Sequence, residues 1–390
     1  MLEKALKGSN RYFGTLFVLL AVMGIGGGFY LYQLQKGLMI TGLGRDVSWG
    51  FYIAQFTYMV GVAASAVMLV LPYYFHHYKA FAKMIILGEF LAIASVIVCM
   101  TFIVVDMGQP QRMLNVLIYA TPHSVMFWDM CVLMGYLGLN LVIGWTSLMA
   151  YWKGVTPPKW VKPLVYLSII WAFSIHTVTA FLYAGLPGRH YWLTAIMAAR
   201  FLSSAFCSGP SLLLLLTLLV KRFTDFDPGK QAVKTLSTII TYAMCVNVFF
   251  FLLEVFTAFY SNIPGEKDPL IFLFSGLEGY AYMTPFMWTA TVLGLGSVVL
   301  LVPYKWRYNT KILVPALIML VIGTWIDKGM ALLIGGFTPN PFDKVTKYLP
   351  TGPELMVAAM VYALGLFVLT VLWKVALEVR AEVDGLAETE

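Results

Sequence analysis

The chain has 390 residues, of which 60% are hydrophobic and only 12% charged, with a mean hydropathy of +0.80. That balance excludes a soluble globular domain and points to a polytopic membrane protein. A formal net charge of +7 invites a nucleic-acid reading, but the basic residues are spread thinly between apolar runs and form no patch interleaved with aromatics, which excludes that class.

In chain order, the basic stretch from Met1 to Arg11 precedes an apolar segment too long for a signal-peptide core and without a small-residue cleavage site, so it is read as a helix. Ten segments are long and apolar enough to span about 30 Å of hydrocarbon, at roughly 12–35, 49–75, 83–105, 124–150, 163–185, 191–220, 234–261, 284–303, 311–335 and 354–378. Turn formers mark the connections at Pro157-Pro158, Pro187-Gly188, Asp227-Pro228-Gly229, Pro264-Gly265 and Pro339-Asn340-Pro341. The expected fold is all-α, with residues 1–390 forming one integral membrane domain. Seventeen of the 26 Lys and Arg residues fall in one alternate set of connections and seven in the other, the remaining two lying inside spans. That asymmetry predicts an even number of spans with both termini in the cytoplasm.

In this topology the intramembrane charge is lopsided. Asp106, Arg112, His123 and Asp129 flank the outer connection between spans 3 and 4. His176, Arg200, Glu254, Asp327 and Lys328 lie in the outer halves of spans 5, 6, 7 and 9, and only Glu89 sits toward the cytoplasmic half. A carboxylate at the bilayer centre costs roughly 2.5–3.5 kcal/mol on insertion scales and rarely persists without a task. A secondary transporter usually keeps its charged site near the midplane. A quinone site needs polar groups near one interface, within reach of lipid and of an aqueous proton route, and the distribution favours that reading.

The individual residues carry alternatives. Asp106 and Asp129 are candidates for exchanging the protons of a quinone, because an apolar wall favours the neutral carboxyl. Asp106 could instead end a helix before Gly108 and Pro110, and Asp129 could form a structural salt bridge to Arg112. Gln109, Arg112, His123, Trp128 and His176 are candidates for positioning the headgroup or tuning those acids, His176 being equally readable as a hydrogen-bonded core residue. Arg200, Glu254, Asp327 and Lys328 read as a polar cluster, either a structural ion-pair group or a proton path. Trp49, Tyr52, Trp192, Tyr260, Tyr304 and Trp306 read as interface anchors. The glycines of span 1 and Gly61, Ala63, Ala64 and Ser65 of span 2 read as sites of close helix packing. Cys99, Cys131, Cys207 and Cys245 never approach CxxC spacing, and no second histidine lies at the depth of His176. No haem, metal or iron–sulfur cluster held by this chain is therefore expected, and in a redox reading the electrons leave for a cofactor on another subunit.

Taken together, several stretches resemble the NrfD/PsrC-type membrane subunits of prokaryotic quinone-linked redox complexes. They are Trp49-Gly50, the run from Asp106 to Arg112, Trp128-Asp129, Ser174-Ile175-His176-Thr177, Gly188-Arg189-His190, Glu254, Trp325-Ile326-Asp327-Lys328, and the run from Tyr348 to Glu354. Within that family the chain most resembles the P subunit of sulfite-reduction-associated Dsr complexes, with the comparable subunit of the high-molecular-weight cytochrome complex close behind, whereas the alternative-complex-III branch carries a histidine at the position of Asp106. The resemblance implies two four-helix bundles, spans 2–5 and 6–9, flanked by spans 1 and 10, in the cytoplasmic membrane. It implies a menaquinone site toward the outer face of the first bundle, with Asp106 and Asp129 at the positions of the family's site residues. It also implies partners: a ferredoxin-like iron–sulfur subunit on the outer face, a multihaem cytochrome c, and further membrane or cytoplasmic redox subunits. A secondary transporter or ion channel, or a structural anchor without a quinone site, remains open on the residues alone.

Overall fold

The computed structural model describes residues 1–387. Among them the chain is helical throughout, with no strand beyond an isolated bridge between Leu277 and Tyr280. Ten helices are long and apolar enough to cross a membrane. They are α1 (Asn10–Lys36), α2 (Phe51–Phe75), α3 (Ile85–Asp106), α4 (Val125–Trp152), α5 (Val161–Ala184), α6 (Ile196–Phe223), α7 (Lys230–Ser261), α8 (Thr284–Leu301), α9 (Thr310–Phe337) and α10 (Gly352–Ala387).

The edges depart from the hydropathy reading where polar residues continue a helix or an apolar residue leaves one. Helix α7 begins at Lys230, directly after Gly229 at φ 87°, because Lys230 and Gln231 are good helix formers that hydropathy discounts. At α6 the reverse holds: Tyr191 and Trp192 are apolar but sit in turns before the helix and are buried. A further helix, Pro264–Phe274, occupies what the sequence marks only as a turn. Pro264 stands in its first turn, where the missing N–H costs nothing, and its buried Leu270, Phe272 and Leu273 pack it against α7, α8 and the end of α9.

Helices α2–α5 pack on one another as one bundle and α6–α9 as a second. Helix α2 is buried on nearly every side, as befits a helix that is apolar all round. The bundles join along α2 and α6, where small residues let the backbones approach: a Cβ on Gly209 would lie 3.0 Å from the Gly61 carbonyl oxygen. Helix α1 packs on α10, with Gly26 against Met356 and Met360, and α10 packs on α3.

Two helices deviate from α geometry. Helix α2 tightens to a 3-10 turn at Ala64–Ala66, and α9 widens to a π-turn at Ile326–Ala331. Near the end of α9, Gly336 faces the indole of Trp192, which is fully buried and donates to the Leu332 carbonyl at 2.9 Å. A Cβ on Gly336 would fall inside that indole. Gly336→Ala is therefore expected to destabilise the protein by about 1–3 kcal/mol, read as a lower unfolding temperature in detergent.

Candidate functional site: an acid pocket and an ion cluster

At the face opposite the termini, the ends of α2–α5 enclose a cavity of about 200 Å³. Its walls include Trp49, Ile53 and Phe56 beside and on α2, Ile103 on α3, and Met126 and Met130 on α4. Two carboxyl groups enter this otherwise apolar space. Asp106 is the last residue of α3, and its Oδ1 is buried with no hydrogen-bond partner among the described residues. Asp129, in the second turn of α4, is 4% exposed, and its Oδ1 accepts from Thr179 Oγ1 at 2.6 Å. Met126, on the same wall, is exposed, so the cavity borders the surface.

Trp49 ties the cavity to an aromatic core, stacking on Trp192 at 6.2 Å between ring centroids and meeting Tyr183 edge-on at 5.7 Å. The Tyr183 hydroxyl in turn pairs with Thr57 Oγ1. The loop carrying Trp49 is held from α10. The fully buried Glu354 carboxylate accepts from the Gly42 and Thr351 amides and from the Tyr348 hydroxyl, each at 2.8 Å. The same Tyr348 oxygen accepts from the Phe51 amide at 2.6 Å. Burial, and then the adjacent Glu354 charge, hold the Tyr348 phenol far above its usual range. Nearby, Asp46 accepts from Thr346 Oγ1 and Asn340 Nδ2, each at 3.0 Å, and those two bonds hold its carboxyl below the usual carboxylate range. Three loops on this face are thereby tied together: Arg189 lies 4.5 Å from the Phe337 ring centroid and donates to the Phe337 and Asp46 carbonyls.

Not every sequence candidate reaches the cavity. Gln109, Arg112, His123 and Trp128 are all exposed. Gln109 pairs with the Gln111 side chain, and Trp128 donates to the Pro122 carbonyl at 2.8 Å. The connection between α3 and α4 folds into a 3-10 turn at Pro110–Arg112 and a short helix at Asn115–Ile118. That path turns Met113 and Val116 into the wall and the polar side chains out. Asp129 is met by Thr179, and among the described residues it forms no ion pair with Arg112. His176 lies one turn along α5 from Thr179, fully buried, away from the cavity wall and, among the described residues, with neither ring nitrogen hydrogen-bonded.

Ile53, Phe56 and Thr179 are site residues that the sequence does not single out, and Trp49 stands out there only as an interface anchor and as part of a family stretch. Of the six aromatics read as interface anchors, Tyr52 and Trp192 are fully buried, whereas Tyr260, Tyr304 and Trp306 are exposed. An aromatic near a span end looks the same in sequence whether it faces lipid or a neighbouring helix.

The second bundle holds a further group of charges. Arg200 on α6 pairs with Glu254 on α7 and, at 3.1 Å, with Asp327 on α9. The π-turn of α9 carries Asp327 and Lys328 in divergent directions. Asp327 reaches Arg200, while Lys328 Nζ donates to the Phe201 carbonyl at 3.3 Å, lies 4.5 Å from the Phe201 ring centroid, and abuts Gly61 of α2. Lys328 thus stands at the seam between the bundles. Glu89, in the first bundle toward the terminus side, is buried against Gly144, and its Oε2 has no hydrogen-bond partner among the described residues. Among the described residues no group of three or more His, Cys, Asp or Glu side chains is arranged to hold a metal ion.

Comparison with known proteins agrees with this architecture. The chain is 27% identical to a protein of Halobacterium salinarum provisionally named as a membrane subunit of dimethyl sulfoxide reductase, over 90% of this chain and 88% of the relative. It is 24% identical to a selenate reductase subunit of Mesobacillus selenatarsenatis, over 64% of this chain and 66% of that one. It is also 24% identical to the Hdr-like menaquinol oxidoreductase integral membrane subunit of Archaeoglobus fulgidus, over 75% and 71% respectively. The profile of the polysulphide reductase NrfD family matches residues 40–339, a stretch that contains both bundles, the acid pocket and the ion cluster. On that match, the chain belongs to the NrfD family.

Proposed function

We propose that this chain is the quinone-facing membrane subunit of a multisubunit reductase-type complex, exchanging electrons between menaquinol or menaquinone and an iron–sulfur partner docked at the face of the acid pocket. The observation that carries the reading is the pairing of Asp106 and Asp129 in one apolar cavity near an interface, with the Asp106 Oδ1 left unpartnered. Buried polar atoms are normally satisfied, so a carboxyl oxygen without a partner beside a cavity suits a ligand that brings its own polar atom. A volume of about 200 Å³ lies below the usual range for a whole small molecule. It suits a quinone ring, with the isoprenoid tail passing out beside Met126 into lipid.

A bound quinol supplies two electrons and two protons. On the protein side, Thr179 holds the Asp129 carboxyl toward the cavity, while Trp49, Ile53 and Phe56 exclude bulk water. Asp106, at the very end of α3, stands between the cavity and the aqueous interface and can pass a proton outward. With both termini in the cytoplasm, as the Lys and Arg asymmetry favours, protons leave on the outer side. The relatives named as reductase and menaquinol oxidoreductase membrane subunits support membership of such a complex. The likeness to Dsr-type subunits supports a link to dissimilatory sulfite or sulfate reduction, with a multihaem cytochrome c and further redox subunits in the same assembly.

A photoreactive naphthoquinone added to the intact complex tests the site. It is expected to label peptides between Ile103 and Met130 and to be displaced by excess menaquinone. Labelling confined to α6–α9, or none at all, would reject the reading.

A further inference from the structure

A second cleft, of about 300 Å³, opens on the opposite face, between the terminus-side ends of α2, α3, α4 and α10. It lies far from the acid pocket and plays no part in the reading above. Its walls are of two kinds. Ile85, Ile86, Leu148 and Ala376 line it with hydrocarbon, whereas Tyr151 and Arg380 bring polar groups.

The Arg380 guanidinium is held in place but incompletely used. One terminal nitrogen donates to the Lys83 carbonyl at 2.7 Å. The group lies 5.6 Å from the ring centroids of both Tyr151 and Phe226. Its Nε is buried and, among the described residues, has no hydrogen-bond partner. The neighbouring acid meets it only as a long ion pair: Asp384 Oδ2 lies 3.9 Å from the Nε, beyond hydrogen-bond distance, while its Oδ1 accepts from the Tyr151 hydroxyl at 3.0 Å. A buried donor without an acceptor is costly, and a planar guanidinium with an open edge is matched to the paired oxygens of a phosphate.

We propose that this cleft binds one anionic phospholipid, its phosphate on the open edge of Arg380 and an acyl chain along Ile85, Ile86 and Leu148. The two halves of the cleft call for the two halves of that molecule. A neutral hydrocarbon would leave the Arg380 Nε unsatisfied, and inorganic phosphate would leave the apolar wall uncovered. The position agrees as well: the cleft lies on the side whose connections carry most of the Lys and Arg residues, where anionic headgroups are drawn to basic segments.

The test uses the full chain in its membrane complex, delipidated in detergent and titrated with phosphatidylglycerol, phosphatidylcholine or inorganic phosphate, with binding read by native mass spectrometry and thermal shift. One phosphatidylglycerol is expected to bind at least about tenfold more tightly than phosphatidylcholine, and Arg380→Gln is expected to remove that preference. Ala82 is exposed at the mouth of the cleft. Ala82→Trp is therefore expected to block the lipid without touching the guanidinium, which keeps the test decisive if the Arg380 variant does not fold. Equal binding of phosphatidylcholine would overturn the proposal, as would undiminished selectivity in Arg380→Gln or Ala82→Trp. Inorganic phosphate binding as tightly as the lipid would also overturn it, by making this an anion site with no use for the chain.

Discussion

Asp129→Asn is expected to lower quinol-linked electron transfer in the assembled complex by about 10²–10⁴-fold, the usual contribution of a positioned acid–base group. The amide is nearly isosteric and its Oδ1 can still accept from Thr179 Oγ1, which lies 2.6 Å from the carboxylate oxygen it replaces. Helix packing and assembly are therefore expected to survive, and the loss isolates proton exchange from shape. Arg112→Gln is the control. Arg112 is exposed and outside the cavity wall, so its neutral variant is expected to stay within about twofold of the parent, as surface changes usually do. Steady-state oxidation of a menaquinol analogue, normalised to assembled complex, measures both. Undiminished turnover in Asp129→Asn would remove this residue from the proton chemistry.

Arg200→Met is expected to destabilise the second bundle by about 3–5 kcal/mol. That is the range for breaking a buried charge pair by deleting one partner. Arg200 is the shared cation for Glu254 and Asp327, and Glu254 is 8% exposed, so its removal strands two acids among apolar helices. Arg200→Lys is expected to recover only part of the loss. An ammonium lacks the planar fork that now reaches two carboxylates on two different helices. Thermal unfolding in detergent and accumulation in the membrane report the effect. A Met variant as stable as the parent would mean that this cluster contributes nothing net to the fold.

Much of the architecture is legible in the sequence because a bilayer demands long apolar helices whose backbone bonds close within each segment. Each of the ten spans can be placed from hydropathy, with edges off by a few residues where Lys230-Gln231 or the charged end of α10 continue a helix outside the hydrocarbon. The two acids stand out for the same reason, since Asp106 and Asp129 are expensive where they lie. What surrounds them is not legible. Thr179 approaches Asp129 from 50 positions away, and Trp49 looks in sequence like any aromatic at a span end. The polar residues between 109 and 123 invite attention because they are close in sequence to the acids, yet a 3-10 turn and a four-residue helix turn them to the surface. The π-turn at Ile326–Ala331 is equally hidden. Nothing in Ile-Asp-Lys-Gly-Met-Ala announces the one-residue widening at which Asp327 turns to Arg200 and Lys328 to the seam with α2.

The pairing of α1 with α10 has a consequence for biogenesis. Helix α1 leaves the ribosome before its mate α10, so it waits in lipid through the synthesis of eight intervening segments. Both four-helix units can associate during that interval, because each is built from consecutive spans. Closure of the molecule, with α10 seated between α1 and α3, follows the synthesis of both units.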